Sequence, residues 1–298
     1  MGKELRNREI PFSTEVGSLR NPIDRKKAAV LISQGKPIGA FNRGVCAIWG
    51  DGSSPAFTES VSEIKGEKRG HRPLAASLTT KEFVSLLDPN KIPPELHSTF
   101  FDAHELAART GSLCFFRGPI TEAAAIKIPN SMVSRVDGVP VIQNWDSRGH
   151  RPTSALLRTV RNLGVRFPAV TSMNMSGEPE ITDQGEGVKF AEEANIPFFL
   201  LDPDDQKKAV GSYTIIDVAA EGLRLIREGN IPSELLVELL GTSIDRSNST
   251  TARSVQPLMF PADRIRGVNP RLARVAILSS LSGHRRTAEI ALNAGKLI

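Results

Sequence analysis

Hydrophobic positions along the chain follow two periods, and the alternation of these periods predicts the elements of the fold. Apolar residues recur at helical spacing in segments that often end at glycine. Shorter apolar runs bounded by Gly, Pro and polar residues are typical of buried strands. Helices are predicted over 24–34, 60–65, 81–87, 97–109, 154–163, 187–194 and 233–240. Strands are predicted over 37–49 (with a turn), 73–78, 113–116, 123–128, 169–171, 197–201, 214–218 and 223–227. Strands and helices intermix throughout, which indicates an α/β fold with a mixed, twisted sheet.

The ends of the chain differ from this pattern. Residues 1–22 are predicted to be a loose leader, and 23–241 form the main domain. Residues 242–257 are rich in Ser, Thr and Arg without any period, so they are interpreted as a linker or mobile loop. Two basic amphipathic helices, over 270–281 and 285–294, predict a small helical C-terminal appendage within 258–298.

The positive charge is concentrated in the C-terminal segment. The whole chain has a net charge of +5, yet the stretch from Asp245 to Ile298 alone holds nine basic and three acidic residues. Such an Arg-rich segment is compatible with nucleic-acid contact. It is also compatible with a solvated helix face or an interface with the main domain. The second interpretation is favoured, because no aromatic residues are interleaved for base stacking.

Composition and motifs exclude several classes of protein. The 298 residues are 40% apolar, no apolar run is long enough to span a bilayer, and the N-terminus lacks a signal-like apolar region. The two cysteines and five histidines show no metal-site spacing, so no metal ligand is predicted and the chain is expected to be a reduced, cytoplasmic protein. The Walker A, dinucleotide and nucleophile-elbow motifs do not occur.

Trp49 and Trp145 are predicted to be packing groups, and 202–205 is predicted to be a solvated acidic turn.

The most informative segment is 169–179, where a short apolar run leads into a cluster of small polar groups. Thr171, Ser172, Asn174 and Ser176 are followed by Gly177. Hydroxyls, an amide and backbone N–H groups in such a loop can hold phosphate or carboxylate oxygens without a charge of their own.

This segment closely resembles the Thr-Ser-Ala-Asn-x-Ser-Gly signature of the YrdC family, the threonylcarbamoyl-AMP synthases. Further resemblances follow in the family's order over roughly 28–241. They are the opening helix and strand with Lys36-Pro37, the Lys-x-Arg loop at 63–74, Gly118-Pro119-Ile120-Thr121, Thr214-Ile215-Ile216-Asp217, and Leu225-Ile226-Arg227-x-Gly229-x-Ile231.

The resemblance implies a YrdC-like twisted mixed sheet with flanking helices around a basic cleft. It also implies an ATP-binding nucleotidyltransferase that uses Mg²⁺ to condense L-threonine, bicarbonate and ATP into threonylcarbamoyl-AMP, toward threonylcarbamoyladenosine in tRNA. The implied catalytic residues are Lys65, Arg69, Ser172 and Asn174. Nucleotide binding is implied for Lys68, Arg72, Thr121, Thr171, Ser176 and Arg227. Substrate binding is implied for Asn42, Arg43, Gln143 and His150.

The chain departs from the family pattern at several of these positions. The segment 41–44 reads Phe-Asn-Arg-Gly where the family has Pro-Thr-Glu-Thr, Gln143 replaces a guanidinium, and Tyr213 replaces Ser. These changes alter the charge of the pocket, so three functions stay open. They are the family reaction, a related carbamoyl adenylate made for another acceptor with a partner transferase, and non-catalytic binding of nucleotide or of RNA such as tRNA or double-stranded RNA. No membrane partner is expected.

A repeated pentapeptide is peculiar to this chain. Arg-Gly-His-Arg-Pro occurs at 69–73 and again at 148–152. Two guanidinium groups around an imidazole suggest paired phosphate-binding loops, with His71 or His150 adding charge near neutral pH. The alternative is two unrelated surface turns, since Arg, Gly and Pro are ordinary turn residues.

Overall fold

The computed structural model describes residues 13–66, 72–203, 209–252 and 255–296. Over these residues the fold is α/β, with a mixed sheet of 13 strands and 11 α-helices, as the sequence predicts. The strands are β1 (Glu15–Ser18), β2 (Ile38–Phe41), β3 (Cys46–Asp51), β4 (Ala75–Ala76), β5 (Cys114–Pro119), β6 (Val133–Val136), β7 (Val139–Asn144), β8 (Pro168–Ser172), β9 (Phe198–Leu201), β10 (Thr214–Ala219), β11 (Gly222–Glu228), β12 (Ile244–Asp245) and β13 (Thr250–Thr251). The helices are α1 (Pro22–Ser33), α2 (Pro55–Lys65), α3 (Thr80–Leu86), α4 (Pro94–Phe100), α5 (Ala103–Thr110), α6 (Glu122–Ala125), α7 (Arg151–Asn162), α8 (Gln184–Glu193), α9 (Ser233–Leu240), α10 (Pro270–Leu281) and α11 (Arg285–Gly295).

The sheet mixes parallel and antiparallel pairs in the order β1-β9-β2-β3-β8-β4-β7-β5-β10-β11-β12. Strand β6 pairs with β7, and β13 pairs with β11. In the middle of the sheet, β3 runs antiparallel to β8, with Ala47 opposite Ser172. This pairing places the end of β8, and the polar loop that follows it, beside the turn between β2 and β3.

Strand β3 separates two hydrophobic clusters, because successive side chains of a strand point to opposite faces. Cys46 and Ile48 belong to the larger cluster, while Ala47 and Trp49 belong to the smaller one. The smaller cluster joins this face to helices α1 and α7, which pack together. The core therefore surrounds the strands that carry the candidate site.

Helix ends follow the sequence signals closely. Thr79 caps α3 with a capping box: its hydroxyl accepts from Glu82 N at 3.2 Å, and the Glu82 carboxylate accepts from Thr79 N at 2.7 Å. Gly241 ends α9 in the left-handed conformation (φ 71°), which glycine adopts without a Cβ clash.

Several predicted elements were wrong. The segment predicted as a strand over 123–128 forms the short helix α6, because the Thr121 hydroxyl caps it by accepting from Ala124 N at 3.1 Å. The single helix predicted over 97–109 is two helices, since Asp102 starts a new one by accepting from the amides of His104 and Glu105. The β6–β7 hairpin was not predicted.

The two segments predicted to be irregular contain strands. The described part of the supposed leader, 13–22, holds β1, which pairs in parallel with β9, and the first residue of α1. The supposed linker holds β12 and β13, which both pair with β11. Main-chain pairing to the sheet edge ordered these polar stretches, and periodicity cannot reveal such pairing. The predicted domain boundaries otherwise stay a prediction.

The C-terminal helices pack into the larger cluster of the main domain. Ala276 and Ile277 of α10 are fully buried in the same cluster as Leu235 and Leu239 of α9. Contacts of α10 with α5 and α9 extend this packing. A helical C-terminal segment is present as predicted, and it completes the core instead of standing apart from it.

The arginines of this segment are largely engaged by the protein itself. Arg246 pairs with Glu234, Arg266 with Glu238, and Arg271 with Glu105, at 2.6, 3.1 and 2.8 Å. Arg274 donates to Gly111 O at 2.9 Å, and burial lowers the pKa of its guanidinium to about 10. These contacts support the interface interpretation of the charge. Among the described residues, no helix is both long and apolar enough to cross a membrane.

Replacing Ile277 by Ala should destabilise the whole domain. Ile277 is 0% exposed, so its truncation leaves a cavity and should lower the free energy of unfolding by about 2–5 kcal/mol. The matched control is Ile290→Ala on α11, where the side chain is 61% exposed and the change should stay within about 0.5 kcal/mol. Denaturant unfolding should show one transition in both variants. A separate C-terminal transition would contradict the shared core.

Candidate functional site

The centre of the candidate site is a hydrogen-bonded network between the end of α2 and the loop after β8. Lys65 Nζ donates to Ser172 O, and to Asn174 Oδ1 at 2.8 Å. Ser172 Oγ donates to the same amide oxygen at 2.7 Å. These contacts span 107 and 109 residues of sequence, so the fold brings three of the predicted catalytic residues together.

The backbone of the loop completes this network. Ser176 N donates to Lys65 O at 3.1 Å, and Asn174 Nδ2 donates to Glu178 O at 2.7 Å. Gly177, with φ 91°, allows the chain to turn between them. Lys65 is only 4% exposed, and a buried ammonium needs such oxygen partners. The loop is therefore held against α2 by the charge that it encloses.

A cavity of about 140 Å³ lies beside this network. Five of the predicted site residues line it: Asn42, Gln143, Thr171, Ser172 and Arg227. Arg227 is the one charged side chain among the described residues that line the cavity. Most of the lining residues are apolar or aromatic, and Lys68 and Arg69 of the expected basic cleft lie outside the described residues.

Arg227 is held by a partner that the sequence analysis missed. Its Nη1 lies 3.7 Å from Glu180 Oε1, and its Nη2 donates to Tyr213 O at 3.1 Å. Glu180 also accepts from Ser212 Oγ at 2.7 Å. Burial lowers the pKa of Arg227, and the Glu180 carboxylate opposes that shift. The guanidinium stays charged, because even a lowered arginine pKa lies far above neutrality.

Aromatic rings form one wall of the cavity. Trp49 and Trp145 meet edge to face with ring centroids 6.1 Å apart, and Tyr213 lies 5.6 Å from Trp145. Phe115 contacts both Trp145 and Tyr213 at 6.4 and 6.1 Å. The two tryptophans are packing groups, as predicted, but they also line the cavity. Their separation in sequence concealed this shared wall.

Arg43 and His150 lie in a neighbouring groove instead of this cavity. Arg43, in the left-handed region at φ 48°, donates from Nη2 to Gly149 O. The groove runs between the start of α7 and the end of α10, where Leu278 and Ser282 line it. These two residues do not line the cavity that holds Asn42 and Gln143, and their predicted role in substrate binding stays a prediction.

His150 is buried in a network with Asp202. A carboxylate can only accept, so His150 Nε2 donates to Asp202 Oδ2 at 3.0 Å and Nδ1 accepts from Thr153 Oγ1, 2.7 Å away. Burial lowers the pKa of His150, and the neighbouring Arg43 charge acts in the same direction. Burial alone would raise the pKa of Asp202, yet hydrogen bonds from His150 and Arg20 lower it. These contacts and the lowered pKa favour a neutral His150. Asp202 is buried, contrary to the predicted solvated turn, while residues 204 and 205 of that turn lie outside the described residues.

The remaining predicted residues lie elsewhere. Thr121 caps α6 and does not line the cavity. Arg72 is exposed and precedes Pro73, which does line it. Lys68, Arg69 and His71 lie outside the described residues, so the paired-loop hypothesis for the repeated pentapeptide stays a prediction.

Comparison with solved structures places this fold. The chain is similar to a double variant of Sua5 from P. abyssi, with a TM-score of 0.59 and 21% identity, over 78% of this chain and 65% of Sua5. It is similar to P. abyssi Sua5 complexed with L-threonine, with a TM-score of 0.55 and 20% identity, over 78% of this chain and 62% of that one. It is also similar to E. coli YciO, with a TM-score of 0.51 and 13% identity, over 73% of this chain and 94% of that one.

These similarities establish a YrdC/Sua5-like fold, which confirms the expected fold. The chain spans less than two thirds of the length of Sua5 in each of those comparisons. No family model matches the sequence, and no curated protein is significantly similar to it.

Acidification should destabilise the protein through His150. Its folded-state pKa is lowered, so the unfolded chain binds a proton first as the pH falls through about 6.5. Stability should therefore decrease between pH 7.5 and 5.5, and it should decrease less in His150→Gln. The exposed His104→Gln is the matched control and should keep the wild-type pH dependence. Equal slopes in all three proteins would contradict a buried neutral His150.

Proposed function

We propose that this chain is an ATP-dependent nucleotidyltransferase that forms threonylcarbamoyl-AMP or a related carbamoyl adenylate. The observation that carries the proposal is the Lys65–Ser172–Asn174 network beside the cavity. It joins, across more than 100 residues of sequence, the groups that the family resemblance assigns to catalysis. The YrdC/Sua5-like fold supports the same assignment.

In the proposed reaction the acceptor amine forms an N–C bond with bicarbonate and water leaves, and an oxygen of the resulting carbamate then attacks the α-phosphorus of ATP. A new P–O bond forms, the bond from that phosphorus to the oxygen bridging to the β-phosphate breaks, and pyrophosphate leaves. Such transfer depends mainly on positioning and on neutralising phosphate charge. Lys65 and Arg227 bring two positive charges to the site, and Ser172 brings a hydroxyl. Mg²⁺ would add charge neutralisation while held mainly by phosphate oxygens and water, so it requires no carboxylate cage.

Asn174 is proposed to position the other two residues of this network. Its Oδ1 accepts from both Lys65 Nζ and Ser172 Oγ, at 2.8 and 2.7 Å. One amide therefore sets the positions of the ammonium and of the hydroxyl. A displacement of about 1 Å in such groups is enough to slow a reaction by about a hundredfold.

The acceptor and the later partners belong to the proposal as well. Sua5 was solved with L-threonine, which makes a small amino acid a natural first acceptor to test here. Transfer of the carbamoyl group to tRNA, by a partner transferase, would follow. The alternatives are a carbamoyl adenylate made from another acceptor and a cleft that binds nucleotide or RNA without turnover. The ion pairs of the C-terminal arginines weigh against RNA contact through those residues.

Pyrophosphate release tests the proposal directly. Purified protein with ATP, Mg²⁺ and bicarbonate should release pyrophosphate when L-threonine or another amine acceptor is added. Asn174→Ala should reduce the rate by about a hundredfold, because Lys65 and Ser172 lose their common acceptor. The control Asn162→Ala changes an exposed residue at the end of α7 and should keep the full rate.

The outcomes separate the three functions. Threonine-dependent release supports threonylcarbamoyl-AMP formation, and release with another acceptor supports a related adenylate. ATP binding by calorimetry without release under any condition contradicts the enzymatic proposal and favours the binding protein. An Asn174→Ala variant that melts like wild type and keeps its rate contradicts the role of the network.

A further inference from the structure

The aromatic wall of the cavity bears on what the cavity binds. Trp49, Trp145, Phe115 and Tyr213 line it together, and Val45, Val170 and Ile215 add aliphatic surface. Trp49 and Trp145 are each 1% exposed. Trp49 lies on strand β3, and Trp145 directly follows strand β7. The lining is therefore preformed, and its apolar and aromatic residues outnumber its polar ones, although the surface that it exposes is about equally polar and apolar. Such a site recognises an apolar group by burial and orients it by its polar contacts.

The charge of the lining disfavours a cationic group. Aromatic cages can bind ammonium groups through their ring faces. Here Arg227 lines the cavity, and none of the described lining residues carries a carboxylate. Glu180 does not line the cavity: its Oε1 accepts from Ser212 Oγ and lies 3.7 Å from Arg227, and its Oε2 is buried without a hydrogen-bond partner among the described residues. A ligand with a positive end directed at the rings would meet the Arg227 guanidinium, and no carboxylate of the described lining would attract it.

The size of the cavity matches a ring. An apolar cavity of about 150 Å³ holds a benzene molecule in a protein interior. The cavity here measures about 140 Å³. A threonine side chain, with three heavy atoms beyond Cα, would leave much of this space unfilled and would place its hydroxyl against apolar walls. A phenyl ring or a bulky aliphatic side chain would fill it.

Arg227 is the charged donor at the edge of the apolar wall, and its side chain is 27% exposed. The indole nitrogens of Trp49 and Trp145 are buried and have no acceptor among the described residues. Arg227 Nε is in the same condition. These three nitrogens have almost no accessible surface, so they do not face the cavity, and the Nη groups of the partly exposed Arg227 are the donors that a ligand can meet. A carboxylate is a ligand group that can accept from several donors at once.

We propose that the cavity binds an amino acid with an aromatic or bulky aliphatic side chain, and that this amino acid replaces threonine as the carbamoylated acceptor. The side chain would pack against Trp49, Trp145 and Tyr213, and the carboxylate would face Arg227. Binding of this class of ligand stands on the cavity alone. Its role as acceptor rests on the proposed function.

The protein contains a reporter for this binding. Its two tryptophans, the only ones in the sequence, both line the cavity. Titration with L-phenylalanine or L-leucine should change the intrinsic tryptophan fluorescence and saturate. Either ligand should bind at least about tenfold more tightly than L-threonine, since the larger side chain buries more apolar surface. Calorimetry on the same wild-type protein gives the affinities independently of fluorescence.

Trp145→Leu tests the wall itself. It removes one ring and keeps Trp49 as reporter, and it should weaken L-phenylalanine binding by about tenfold. The matched control is Phe101→Leu, which removes an aromatic ring at the end of α4 that does not line the cavity. That variant should bind like wild type. If Trp145→Leu fails to fold, the ligand series on wild type still decides the question.

The possible results separate this inference from the proposed function. Tight binding of L-phenylalanine or L-leucine without pyrophosphate release supports the cavity assignment and contradicts the enzymatic role. Release stimulated by either amino acid more than by L-threonine supports both. Equal or tighter binding of L-threonine overturns the inference, and so does the lack of any amino-acid binding. Competition between ATP and L-phenylalanine would show that the two cannot bind together, which contradicts the role of this amino acid as acceptor.

Discussion

The burial of the Lys65 ammonium is the constraint on which the rest of the site depends. A buried charge that lacks oxygen partners costs several kcal/mol, so the ammonium must be surrounded by acceptors. Ser172, at the end of β8, and Asn174, in the loop after it, supply these acceptors from more than 100 residues further along the chain. Helix α2, strand β8 and the loop after it can therefore occupy only one arrangement. That arrangement sets one edge of the cavity and fixes the polar groups that face it.

The cavity combines this polar edge with an aromatic wall, and each part suits a different portion of a ligand. Charge and hydroxyl groups near Lys65 and Arg227 suit the oxygens of phosphate or carboxylate, while the rings suit an apolar group. Arg227 is restrained by Glu180 and by Tyr213 O, so its charge is directed instead of free to reorient. A rigid guanidinium loses less entropy on binding than a mobile one. The C-terminal helices contribute to the same rigidity at a distance, because they complete the core under the sheet.

Much of the fold could be predicted from local patterns, and the failures have physical causes. Helical periodicity and glycine stops located α1, α7, α9, α10 and α11, and Thr79 marked the start of α3. The segment 123–128 was wrongly predicted to be a strand, because so short a stretch rich in Ala and Ile has no periodicity that separates a helix from a strand. Strands β1, β12 and β13 escaped prediction because their pairing partners lie far away in sequence. The candidate site shows the same division: the motif residues Lys65, Ser172 and Asn174 were predicted, whereas Glu180 belongs to no motif and was missed.

The sequence by itself determined the α/β class, the helical C-terminal segment and the polar loop after β8, because each depends on neighbours along the chain. Only the tertiary structure decided which residues share a surface. It moved Arg43 and His150 out of the cavity and into a second groove, and it favours a neutral His150 by burying it. It also gathered Trp49, Phe115, Trp145 and Tyr213 into one wall from four separate segments. Charge state and cavity shape depend on contacts between distant residues, and these contacts exist only once the sheet has formed.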